Sequence, residues 1–315
     1  MTRQDQLLQE DQLHQDDQDD TSILNRTLPS GPQATQFQAT DCQATTSPPP
    51  DISALRAQAI DAAYGKLTIL NGVDLHVGRG AVTALVGPNG SGKSTLLKVC
   101  TKLLAPRQGA VVLDGEDISR LSTREMAKRL AILPQGPVAP ANLTVRDLVE
   151  QGRYAQVGPF RMIRRQDHAA ISRAIELVGL QALSDRDVDT LSGGERQRAW
   201  LALALAQETP ILALDEPTTF LDIGHQLEVL ELVRELNQSQ GLTVLLVLHD
   251  LNHAASFADH MVVLNQGAII ASGSPWSIMH PPLLRQVFGV TASVISDPVT
   301  QKPLIIAHSS TTRGE

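Results

Sequence analysis

The chain has little cysteine, no long apolar run and too little positive charge to balance its acids, and each shortage removes a class of protein. Two cysteines in 315 residues, Cys42 in a polar stretch and Cys100 in an apolar pattern, provide neither a disulfide framework nor a thiolate metal cluster, as expected in a reducing compartment. The longest purely apolar stretches, near Trp200 to Ala206 and Val244 to Leu248, fall far short of the ~20 residues that span a bilayer as a helix. With 26 Lys+Arg against 34 Asp+Glu the formal charge is −8. A polyanion needs a basic footprint, so no nucleic acid is expected as the main partner. No secretory leader is visible either.

The acid excess is local. Residues 1–50 hold Arg3 and Arg26 against Asp5, Glu10, Asp11, Asp16, Asp17, Asp19, Asp20 and Asp41. The same segment is rich in Gln, repeats Gln-Ala-Thr from Gln33, Gln38 and Gln43, and ends in Ser-Pro-Pro-Pro. It has little apolar surface to bury, so residues 1–50 are expected to be a disordered acidic tail and residues 51–315 the folded domain. Targeting presequences are basic and poor in acids, the reverse of this composition.

From about Ile52 the texture becomes strand-like, with Val73, Leu75 and Val77 on one face and Ala81 to Val86 as an apolar run interrupted only by Thr83. After Gly92 the apolar positions Leu96, Leu97, Cys100, Leu103 and Leu104 form one helical stripe closed by Pro106. Cys100 on that stripe is expected to be a small buried hydrophobe. Residues 121–191 are rich in helical pattern, such as Ile171 to Leu180, and read as a mainly helical insertion. Buried-strand texture returns at Ile211 to Leu214 and Thr243 to Leu248, separated by a helix from His225 to Leu236, which implies parallel strands joined by a crossover.

Three motifs carry chemistry. Gly87-Pro88-Asn89-Gly90-Ser91-Gly92-Lys93-Ser94, followed by Thr95, fits the phosphate-loop pattern and lies between an expected strand and an expected helix. Glycines let successive backbone N–H groups turn toward an anion at a helix N-terminus, Lys93 neutralises terminal phosphates, and Ser94 offers an oxygen to Mg²⁺. Asp215 and Glu216 stand where the apolar run from Ile211 stops, at the carboxyl end of an expected parallel strand. Asp215 is then a candidate for the Mg²⁺ shell and Glu216 for the base or orienting group on the attacking water. In Leu191-Ser192-Gly193-Gly194-Glu195-Arg196-Gln197, Ser192 and Glu195 read as a capping box. Gly193 and Gly194 are poor helix formers that suit close approach of a phosphate to free helix N–H groups.

Together these segments resemble the Walker A, Walker B and signature motifs of ATP-binding cassette proteins, over about Ile52 to His308. The resemblance implies an α/β fold: a P-loop ATPase core with a mainly parallel sheet, an antiparallel β part and a helical subdomain. It also implies ATP and Mg²⁺ as ligands and further site residues by position. Tyr64 matches the aromatic that stacks on adenine; Gln135, the glutamine that approaches Mg²⁺ and water and senses the membrane half. Asp222 matches the aspartate at the dimer seam, which also reads as a plain N-cap, and His249 matches the switch histidine on the γ-phosphate. Glu216, His249 and Gln135 form the implied catalytic set; Ser94, Gln135 and Asp215 the implied metal set. His225, His253 and His260 match no site residue of the family, do not have zinc-site spacing and are assigned no chemistry.

In such proteins the signature serine and glycines of one cassette cover the γ-phosphate held by the Walker A loop of another. One cassette per chain therefore implies an ATP-bridged dimer with a second copy. The resemblance further implies an integral membrane permease as partner, a substrate-binding protein acting indirectly, and a peripheral place on the cytoplasmic face of the membrane. Non-transport relatives typically carry coiled coils, zinc modules or two cassettes, and a phosphate-loop kinase has no Leu-Ser-Gly-Gly segment. Thr218-Thr219-Phe220-Leu221-Asp222, His225-Gln226, Gly152-Arg153-Tyr154 and Val287-Phe288-Gly289 resemble importers of iron complexes, with Ala155 standing where proline is frequent; the resemblance implies docking on the permease through Gln135 and the segment around Gly152 to Tyr154. A ferric siderophore is the cargo this implies; haem, cobalamin and metal-ion importers are the near alternatives.

Overall fold

The computed structural model describes residues 53–157, 164–219 and 221–310; the acidic segment 1–50 and Phe220 lie outside the described residues. Alternating apolar and polar residues build two long strands, β1 (Ser53–Tyr64) and β2 (Leu67–Gly78). They pair antiparallel from Ser53 with Gly78 to Tyr64 with Leu67. Val73, Leu75 and Val77 are all buried, as the two-residue period of a strand requires. The wholly buried β3 (Val82–Val86) runs into the glycine loop and then α1 (Lys93–Cys100). β4 (Gln108–Leu113) and β5 (Glu116–Asp117) complete an antiparallel sheet in the order β2-β1-β4-β5.

Next come α2 (Thr123–Arg129) and β6 (Leu130–Leu133), then α3 (Val145–Glu150), α4 (Tyr154–Val157), α5 (Arg165–Leu177) and α6 (Gly193–Ala206). The remainder alternates: β7 (Ile211–Asp215), α7 (Ile223–Gln240), β8 (Thr243–Val247), α8 (Leu251–Phe257), β9 (His260–Asn265) and β10 (Ala268–Gly273). The chain ends with α9 (Pro275–Ile278), α10 (Pro281–Phe288) and a hairpin of β11 (Val290–Ser296) and β12 (Pro303–Ser310).

The central sheet has the order β10-β9-β3-β8-β7-β6, parallel throughout except for the antiparallel edge strand β10. Successive residues of its strands serve opposite cores. Leu85, Ile211, Ala213, Leu245 and Val247 join α1 and the antiparallel sheet in one apolar cluster. Ala84, Val86, Leu212, Leu214 and Leu246 join the helices in another. Burial on both faces is why these strands read as unbroken apolar runs, and β7 and β8 are neighbours joined by the α7 crossover, as expected.

Three expectations need adjustment. Residues 121–191 include β6, which is hydrogen-bonded to β7 in the central sheet, so the helical part proper is α3 to α6. The stripe after Gly92 stops early: α1 ends at Cys100, Lys102 takes φ 61°, and Leu103 is 60 % exposed. The helix expected from His225 to Leu236 is longer, from its Asp222 N-cap to Gly241, whose φ of 66° ends it in the left-handed region that suits glycine. Cys100 is fully buried, and its thiol is pushed up to about 12 by that burial. Among the described residues no helix is long and apolar enough to cross a membrane.

Candidate functional site

The site sits at the carboxyl ends of β3, β7 and β8, where parallel sheets bind ligands. β3 delivers the chain into Gly87, whose φ is 152° and where a Cβ would lie 2.1 Å from the Leu264 carbonyl oxygen. Gly92 has φ 104° and a Cβ there would strike Leu70 at 2.7 Å. These two positions need glycine because β9 and β2 close on the loop. The Gly267 N–H bonds to the Ser91 carbonyl at 3.1 Å and so braces the loop from the β9–β10 turn.

Lys93 folds back over this loop: its Nζ donates to the carbonyl oxygens of Gly87 and Pro88 at 2.9 and 3.0 Å. Burial pushes its ammonium pKa down, while Glu216 and then Asp215 oppose that shift. The Ser91 Oγ is buried with no hydrogen-bond partner, and the first N–H groups of α1 have no acceptor within the helix. The loop therefore presents unspent donors around a concave backbone, which suits a phosphate chain.

Asp215 ends β7 and is 3 % exposed. Burial raises its pKa, against the Ser94 hydroxyl that donates to Oδ1 at 2.8 Å; the Glu216 charge raises it further. Ser94 and Asp215 thus form a pair of hard oxygen donors, the chemistry that suits Mg²⁺ with water completing the shell. Glu216, the next residue, turns with φ 53° and is held by three side chains. The Gln135 Nε2 donates to Oε2 at 2.5 Å, the Thr219 hydroxyl to the same oxygen at 3.1 Å, and the His249 Nε2 lies 2.6 Å from Oε1. Three segments separate in sequence meet on one carboxylate: Gln135 beyond β6, Glu216 beyond β7 and His249 beyond β8.

The structure thus gathers Gly87 to Thr95, Gln135, Asp215, Glu216 and His249 in one place. Tyr64 lies at the end of β1, 47 % exposed, on the hairpin whose β2 supplies Ile69 and Leu70 against Gly92. Ser192, Gly193 and Gly194 form a separate region at the N-terminus of α6. The capping box is present: the Glu195 N–H reaches the Ser192 Oγ at 3.3 Å and the Ser192 N–H reaches the Glu195 carboxylate at 2.8 Å. Among the described residues no hydrogen bond joins these three to the phosphate loop of the same chain. Asp222 is the α7 N-cap and accepts from the His225 N–H at 3.0 Å; bonds from the His225 backbone and ring hold its carboxyl below the ordinary value.

Two further groups went unassigned from sequence. Thr219 stands in the Thr218 to Asp222 run, where nothing in the sequence signals that its hydroxyl serves Glu216. Arg153, read as part of a docking segment, is buried: it pairs with Asp167 at 2.9 Å and with Glu208 at 2.9 Å, and donates to the Ala206 carbonyl at 2.8 Å. Tyr154 beside it is 67 % exposed.

Comparison with known proteins follows the same lines. A family profile described as ABC transporter matches residues 70–219. The ferric enterobactin transport ATP-binding protein FepC of Escherichia coli (strain K12) is 44 % identical over 255 residues, covering 81 % of this chain and 94 % of that protein. The iron(3+)-hydroxamate import ATP-binding protein FhuC of Bacillus subtilis (strain 168) is 43 % identical, covering 82 % and 96 %. A cobalamin import ATP-binding protein BtuD of Halobacterium salinarum is 39 % identical, and the match spans 61 % of its length. Among solved structures, a metal-chelate type ABC transporter in an inward-facing conformation matches with TM-score 0.72 and 26 % identity, over 82 % of this chain and 98 % of that one. A dimeric ATP-binding cassette in a post-hydrolysis state with ADP and phosphate matches with TM-score 0.63 and 27 % identity, over 70 % and 98 %.

Proposed function

The chain belongs to the ABC transporter family as an ATP-binding, ATP-hydrolysing subunit, and from that premise we propose that it powers import of a ferric siderophore through a separate membrane permease. The observation that carries the cargo is the similarity, above 40 % identity over more than nine-tenths of their length, to ATP-binding proteins of ferric enterobactin and iron-hydroxamate import. The cobalamin importer is matched over a smaller share of its length. In this arrangement the subunit works on the cytoplasmic face of the membrane, and a binding protein delivers cargo to the other side.

The geometry supports the following division of labour. The backbone of Gly87 to Ser94 cradles the phosphates, and Lys93 exchanges the Gly87 and Pro88 carbonyls for phosphate oxygens. Tyr64 stacks on the base. Ser94 and Asp215, with Gln135 close by, hold Mg²⁺, which supplies charge neutralisation to the phosphates when bound. Glu216 orients and deprotonates water, and His249, already on the Glu216 carboxylate, stands beside the position of the γ-phosphate. Ser192, Gly193 and Gly194, which share no hydrogen bond with the phosphate loop among the described residues of their own chain, serve the nucleotide of a second copy, with Asp222 at the seam. ATP then favours the closed dimer through contacts absent from the open one.

The test is uptake of a radiolabelled ferric siderophore, haem and cobalamin by cells with and without this chain. Loss of ferric siderophore uptake is the expected result. Loss of cobalamin or haem uptake alone would overturn the cargo and leave the ATPase chemistry standing.

A further inference from the structure

The His225-Gln226 pair has no role in the mechanism above, yet its side chains lie between two parts of the machinery. The Gln226 Nε2 donates to the Leu221 carbonyl at 3.0 Å, and the His225 Nδ1 lies 2.8 Å from the Asp222 Oδ1. Both residues of the pair thus reach back to the two residues that immediately precede α7. The other face of the His225 ring lies on the signature helix. A Cβ built on Gly194 would meet the His225 Cδ2, Cγ and Nε2 at 2.5, 2.8 and 3.0 Å, the three nearest heavy atoms. One turn further along, Arg198 of α6 pairs with Glu228 of α7.

We propose that His225 is a positioning residue: its ring, fixed by Asp222 on one side and seated on Gly194 on the other, sets the signature segment and the Asp222 turn at a fixed mutual distance, so that both meet the second copy together. This rests on the ATP-bridged dimer proposed above. The physical basis is that Gly194 has no positive φ to require glycine; its missing side chain is explained by the imidazole that occupies that space. Swinging the ring aside gives up its Nδ1 contact with Asp222, the residue that also caps α7 through the His225 N–H. A methyl at Gly194 and loss of the ring at His225 are therefore two ways to produce one defect.

The experiment uses the full chain carrying Glu216→Gln, so that ATP-bound dimers persist, and compares it with the same chain bearing His225→Ala, Gly194→Ala or both. Nucleotide affinity of the monomer is read by equilibrium titration, and the dimer by light scattering across protein concentration in ATP. His225→Ala is expected to leave nucleotide affinity within about twofold and to weaken ATP-dependent dimerisation about tenfold, which corresponds to about 1.4 kcal/mol. Gly194→Ala should lower dimerisation and melting temperature alone, and lower melting temperature no further on top of His225→Ala, because residues in contact do not add. Equal dimerisation constants with and without His225→Ala, or full additivity of the two substitutions in melting temperature, would overturn the proposal while the dimer reading survives. Failure of the Glu216→Gln parent to dimerise in ATP would overturn the dimer reading and this one with it.

Discussion

Replacing Glu216 with glutamine separates chemistry from binding, and the surroundings of the carboxylate set the size of each effect. Gln135 and Thr219 donate to Oε2, and His249 approaches Oε1 at 2.6 Å. A glutamine amide oxygen in the Oε2 position keeps the first two bonds. Its NH₂ faces His249, whose Nε2 accepts in the other tautomer. The substitution therefore loses at most about one hydrogen bond, about 1 kcal/mol, which moves the melting temperature of a domain this size by about 2–4 °C. Turnover loses a general base, worth about a hundred- to ten-thousand-fold, or about 3–5 kcal/mol at 1.36 kcal/mol per decade. The asymmetry is the prediction: nucleotide affinity and fold nearly unchanged, ATP hydrolysis nearly abolished. It is read as phosphate release by the assembled transporter alongside an ATP titration of the isolated subunit. A kcat within tenfold of the parent would refute the role given to Glu216, as would a loss of nucleotide affinity large enough to explain the fall in rate.

Lys93→Ala has the opposite profile: the Gly87 and Pro88 carbonyls lose their charged donor and ATP affinity, followed by titration, falls at least about tenfold. Arg153→Ala leaves Asp167 buried without its cation and is expected to cost about 3–5 kcal/mol of unfolding free energy by denaturant titration. Tyr154→Ala at the exposed neighbour stays within about 0.5 kcal/mol and lowers only the permease-stimulated ATPase rate. Burial alone raises the Asp167 carboxyl, but the Arg164 N–H and the Arg153 guanidinium outweigh it and hold it below the ordinary carboxylate value. Its folded value lies under its unfolded one, so its contribution is complete above about pH 3.9 and is lost as pH falls through the folded value. The stability advantage of the parent over Asp167→Asn, measured by melting, should therefore be full near neutrality and shrink in acid below that point.

The central strands were legible because burial on both faces writes them as unbroken apolar runs: Ile211 to Leu214 and Thr243 to Leu248 predicted β7 and β8 to within a residue. The edge strand β6 was hidden because Leu130 to Leu133 is four residues long and follows α2 without a break, so its pattern merged with the helical texture around it. Leu103 and Leu104 continued the spacing of α1 past the point where the backbone leaves the helix at Lys102; periodicity registers apolar positions and not the turn that ends them. At the site, residues that act through their own motif were visible. What they touch was not: the convergence of Gln135 and His249 on Glu216, and of Arg153 on Asp167, depends on proximity that no local spacing encodes, while Thr219, only three residues beyond Glu216, carries no sign of what its hydroxyl serves.

The glycine pair of the signature segment shows where the single chain stops explaining its own sequence. Gly194 is accounted for by the His225 ring packed on it. Gly193 is not: it begins α6, and a Cβ there would meet nothing within 4 Å. Alanine is the better helix former by about 1 kcal/mol in a helix interior, so folding of one chain favours Gly193→Ala or is indifferent to it. On the composite site proposed above, the reason for glycine lies outside the chain, where the open side of the α6 N-terminus would meet the phosphate of a second copy. Gly193→Ala is therefore expected to melt at or slightly above the parent temperature, to bind ATP normally at the loop around Lys93, and to lose ATP-dependent dimerisation and hydrolysis together. A variant that melts as expected, dimerises in ATP like the parent and hydrolyses at the parent rate would show that this end of α6 faces only solvent, and the composite site would have to be abandoned.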